Sequence, residues 1–69
     1  MQLNEMEMKK LLDQGMLTRS IIENETAMKK CEMYHEMAKD PAVKGFFKDQ
    51  AKGLEDVIGY FKKGMTEIQ

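Results

Sequence analysis

The chain has 69 residues, enough for one domain at most, and a chain this short buries a smaller share of its surface than a domain of ordinary size. Its eleven basic and twelve acidic side chains leave a net charge of −1 with no long run of one sign, which argues against a phosphate-capturing field and against nucleic acid as a partner. The single cysteine, Cys31, excludes a disulfide within one chain and fits a reducing cytosol, and no stretch approaches the roughly 18 apolar residues of a membrane span.

Met1-Gln2-Leu3-Asn4-Glu5 lacks the basic-then-apolar order of a signal peptide, so the expectation is a soluble, cytoplasmic protein with no membrane partner. In the first sixteen residues Met8, Leu11, Leu12 and Met16 point to a different side of a continuous helix than Leu17 and Ile21, and Gly15 lies at the change of phase. The expectation here is an interruption or bend, with residues 1–16 forming a helical extension or a short extra helix. The other reading is one long helix with a second apolar face that Ile22, Met33 and Met37 prolong.

From Leu17 the positions Leu17, Ile21, Asn24, Met28, Cys31, His35 and Ala38 recur at alternating spacings of 4 and 3, a heptad seam that predicts a helix over about 17–38. Glu25, Lys29, Glu32 and Glu36 occupy the other side, and Glu25 and Lys29 stand at the i, i+4 spacing that supports a helix. Asp40 followed by Pro41 is a helix start: the carboxylate accepts free amide hydrogens of the first turn, where proline needs no donor. A turn over 39–41 this short sets the next helix, about 41–67, antiparallel beside the first. Its seam is read as Val43, Phe47, Leu54, Val57, Phe61 and Ile68, widened by Phe46, Ala51, Ile58 and Met65. Four glycines within this second helix, Gly45, Gly53, Gly59 and Gly64, make tertiary support necessary.

The fold class is therefore all-α, a single antiparallel helical hairpin. Two helices form a ribbon that would leave Phe46, Ile58 or Met65 exposed, and pairing two ribbons into a four-helix bundle would cover them. The expected self-association residues are Leu17, Ile21, Met28, Phe46, Phe47, Leu54, Val57, Ile58, Phe61 and Met65, with a homodimer as first choice. Eight methionines are many for this length; their flexible thioethers suit irregular helix interfaces and would equally suit a groove for another protein.

The sharpest chemical constellation is Cys31-Glu32-x-x-His35. Cys31 and His35, four apart, share a helical face, and a twofold dimer could join two such pairs as a Cys2His2 zinc site. The plainer reading makes Cys31 a small buried apolar residue and His35 a polar setter of register. Glu32 and His35 also match the Glu-x-x-His of di-iron bundles, but the facing helix offers Phe47, Leu54, Val57 and Phe61 where carboxylates are needed. No base and third partner stand ready to activate Cys31, Ser20 or a threonine, and the five isolated glycines form no phosphate loop. Tyr34 and Tyr60 read as edge residues and Asn24 as a register device. The expectation is a non-enzyme without cofactors.

The segment Glu32-Met33-Tyr34-x-x-x-Ala38-Lys39-Asp40-x-x-Val43-Lys44-x-Phe46-Phe47-x-x-x-Ala51-x-x-Leu54-x-x-Val57-Ile58 resembles a family of uncharacterised proteins of about seventy residues from spore-forming Firmicutes. The likeness covers about residues 24–68. More distantly it is similar to ferritin-like hairpins of the spore coat F and rubrerythrin type. Where those carry Ala-x-x-Glu-x-x-His, this chain has Ala51-Lys52-Gly53-Leu54-Glu55-Asp56-Val57, and Ala27 stands where the first helix supplies its glutamate. The resemblance thus implies the scaffold without the iron, and an association with sporulation. Two function classes follow: a structural or interaction module whose bundle offers a methionine-rich face (Met8, Leu11, Leu12, Ile22, Met33, Met37) to another protein, or a metal or redox sensor using Cys31 and His35. Copper-sensing helical repressors use His-x-x-x-Cys with basic surface; this chain reverses the pair and lacks that surface.

Overall fold

The computed structural model describes residues 3–67, and among them the chain is all-helical: α1 spans Glu5–Met37 and α2 spans Pro41–Glu67. Both sit where the sequence supplies caps. Asn4 opens α1, its Oδ1 accepting from the Glu7 amide at 2.8 Å while its Nδ2 donates to Glu7 Oε1 at 2.7 Å, a reciprocal pair close to a capping box. Asp40 opens α2, with Oδ1 accepting from the Ala42 amide at 2.7 Å. Between them Ala38 leaves the helix in extended backbone, and its amide still donates to Tyr34 O at 2.8 Å.

The expected break at Gly15 does not form: α1 runs through it without interruption. A glycine costs a helix about 1 kcal/mol, which does not stop one that is capped and flanked by good formers. The phase change is a second apolar stripe on the opposite side, so the extension and the main helix are one element. A Cβ placed on Gly64 would lie 3.9 Å from the Leu17 methyl groups, and Thr18 Oγ1 reaches Met65 Sδ at 3.8 Å, which sets the antiparallel register. Three residues further on, Glu67 lies level with Gln14. Residues 3–13 extend past this point, and all of them are exposed.

Along α1 the half-buried positions Leu17, Ile21, Asn24, Met28, Cys31, His35 and Ala38 are the expected seam. Along α2 the inward residues are Phe47, Ala51, Leu54, Ile58, Phe61 and Met65, again at alternating spacings of 4 and 3. Two expectations fail here. Val43 and Val57 are turned out of the seam, 42% and 41% exposed, while Ile58, expected at the margin, is the one buried residue among those described, at 6%, and Met65 is half-buried. The apolar stripe of α2 is wide enough to hold two seams, and α1 takes the Ile58 side. Phe46 is 57% exposed, as a ribbon requires. Ile68 lies outside the described residues.

Candidate functional site

The two helices divide the ribbon into unlike faces. On one, Glu25, Lys29, Glu55 and Lys62 surround Met28, Ile58 and Gly59, and Lys62 Nζ stands 3.7 Å from Glu25 Oε1. Glu25 thus finds its partner on α2; its expected Lys29 pairing is not among the ion pairs of the described residues. Helical spacing sets Ala42, Phe46, Gly53, Val57, Tyr60 and Gly64 along the opposite face of α2, a largely apolar stripe edged by Asp49, three residues after Phe46, and by Lys63 and Glu67 beside Tyr60 and Gly64. Tyr34 from α1 joins it: its ring lies 5.2 Å from that of Phe47, which in turn stands 5.3 Å from Phe46, edge to face. This face exposes much apolar surface, with Tyr34 at 42% and Tyr60 at 79%. Sequence reasoning named Phe46 and Val57 for association; Gly53 and Gly64 were read only as helix weaknesses, although their spacing from Phe46 and Val57 marks them as the floor of the same face.

Of the other residues named for self-association, Leu17, Ile21, Met28, Phe47, Leu54, Phe61 and Met65 are half-buried between the helices, so each still shows an edge. A third surface is the back of α1, away from α2, where Met8, Leu11, Leu12, Ile22, Met33 and Met37 are all exposed.

Cys31 and His35 are half-buried on the α1 seam toward α2, whereas Glu32 is exposed, so the geometry separates the carboxylate from the other two. His35 is engaged across the turn. Its Nδ1 lies 2.8 Å from Lys44 O, and because a carbonyl only accepts, Nδ1 carries the hydrogen. Lys44 Nζ returns the contact, donating to His35 O at 3.1 Å and Glu36 O at 3.3 Å, where the last carbonyls of α1 lack helical partners. Asn24 bonds within its own helix, Nδ2 to Ser20 O at 2.7 Å, and makes no polar contact with α2. Among the described residues no three His, Cys, Asp or Glu side chains converge as metal ligands, and no helix is long and apolar enough to cross a membrane.

Comparison with known proteins adds no relative: no family model matches the chain, and no curated protein or solved structure matches it significantly. The functional reading rests on these faces.

Proposed function

We propose that this chain is a non-enzymatic structural or protein-interaction module that self-associates, two hairpins stacking their largely apolar ribbon faces into a four-helix bundle. The observation that carries the reading is surface. The chain exposes 5811 Å² for a mass of 8.0 kDa, against about 4,450 Å² for a compact monomer of that mass. The excess of about 1,400 Å² exceeds the roughly 800 Å² per partner of a standard stable interface. The ribbon face has the right size, since the 27 residues of α2 run about 40 Å and the hairpin is 19 Å wide, about 800 Å² in all.

A sensor built on Cys31 and His35 is less favoured, because both are half-buried on the seam and no third His, Cys, Asp or Glu side chain converges with them among the described residues. The sporulation setting and a cytoplasmic location belong to the same proposal and are supported by the resemblance and the lone cysteine respectively. Mass by light scattering at micromolar concentration tests the core of it. The expected result is a dimer or a multiple of it, lowered by Phe46→Glu; a monomer at that concentration would refute self-association.

A further inference from the structure

Stacked ribbons still leave the back of α1 uncovered. Its six large apolar residues, Met8, Leu11, Leu12, Ile22, Met33 and Met37, are between 47% and 66% exposed. Apolar residues lie at similar distances on both sides of Ile22: Leu11 and Met33 stand eleven residues before and after it, and Met8 and Met37 fourteen before and fifteen after, while Leu12 has Glu32, and Gly15 has Lys29, as counterpart. Pairs of this kind suit a twofold axis, where residue i of one copy meets residue j of the other and the reverse.

We propose that this stripe is a twofold seam for a second copy of the chain, with two α1 helices packed antiparallel about Ile22. The inference deepens the self-association reading and rests on it, adding an interface separate from the ribbon face. Three features fit a second copy. Helix length is the first: Glu5–Asp13 extends past the described end of α2 at Glu67, and in the antiparallel pair this arm lies along residues 31–39 of the other copy. Leu11 then comes level with Met33, and Met8 with Glu36 and Met37.

Local shape is the second feature. Gly15, Thr18, Arg19 and Ile22, spaced i, i+3, i+4 and i+7, line a shallow groove with Glu23, the four-residue hole that receives a knob in helix packing. The antiparallel copy brings its Thr26 to that hole. Thr26 Oγ1 donates to Ile22 O at 3.1 Å, so the hydroxyl is satisfied and the methyl is free to fill the space. Charge is the third. Arg19 and Glu23, 3.3 Å apart in one helix, straddle the axis, which sets each Arg19 near Glu23 of the other copy. Glu7 approaches Glu36 at the outer ends of the seam, where solvent screens the repulsion. The smallest assembly using both interfaces is a tetramer.

Disulfide trapping tests the seam. In a Cys31→Ala background, Ile22→Cys faces its own counterpart across the axis. Under mild oxidation it should link into dimers at least tenfold faster than Lys48→Cys on the charged face. Mixed Leu11→Cys and Met33→Cys chains should link to each other in preference to themselves. Equal rates for Ile22→Cys and Lys48→Cys, in a chain whose oligomer mass still falls with Phe46→Glu, would overturn the seam and leave the ribbon reading standing. A monomeric wild type would overturn both.

Discussion

His35 and Lys44 illustrate how one residue pair can look like chemistry and act as a fastener. They lie nine apart in the chain and clasp the turn end of the hairpin through three hydrogen bonds, the His35 ring to the Lys44 carbonyl and the Lys44 ammonium to two carbonyls of α1. Each side chain therefore completes a contact begun by the backbone of the other. A part-buried hydrogen bond of this kind contributes about 1 kcal/mol, and somewhat more where the donor is charged. His35→Ala and Lys44→Met should each lower unfolding stability by about 1–2 kcal/mol, and the double variant should lose close to the sum, because each change leaves the bonds of the other side chain to backbone in place. Urea melts of the four proteins measure this; a double-variant loss well short of the sum would show that each contact depends on the other. The seam position of His35 was legible from heptad spacing. Its partner was not, because the contact crosses a turn and uses the Lys44 carbonyl, a group that every residue possesses.

Element boundaries follow the polar residues that satisfy free helix ends, and the two starts differ in how plainly the sequence marks them. Asp40-Pro41 is a strong signal and places α2 correctly, whereas Asn4 and Glu7, three apart, form an equally good start that the phase shift at Gly15 masked. Apolar phase proved a poor guide to helix continuity. It records which neighbours a helix serves, and α1 serves α2 on one side while keeping a second stripe on the other. In α2 the fault was of the same kind: a broad stripe permitted seams through Val57 or Ile58, and only α1 itself decides between them. Because α2 is held at its start by Asp40 and the clasp beside it, removal of the cap should weaken the whole hairpin. Asp40→Ala should lower the urea midpoint by the equivalent of about 1 kcal/mol, with Asp40→Asn recovering most of it. An unchanged midpoint for Asp40→Ala would mean that Lys44 and His35 alone fix the start of α2.

At the scale of the molecule, an isolated hairpin is an extended strip, 56 × 19 × 10 Å with a radius of gyration of 16.6 Å, where a compact chain of this length has about 11 Å. Among the described residues Ile58 alone is buried and the rest of both seams is half-buried, a small core to set against a conformational entropy of about 1–2 kcal/mol per ordered residue for the backbone alone. Under the proposed self-association, stability comes in large part from surface covered between copies, and folding is coupled to association. Coupled systems carry a signature that monomers lack, a melting temperature that depends on protein concentration. Two chains of this length unfold with an enthalpy of about 100 kcal/mol, which for a dimer melting near 60 °C gives a rise of about 5 °C for each tenfold increase in concentration. Calorimetry across two decades of concentration checks this. A transition that stays fixed while the mass remains that of one chain would place the missing stability inside the hairpin. A transition that rises in wild type but flattens in Phe46→Glu would trace it to the Phe46 face of α2.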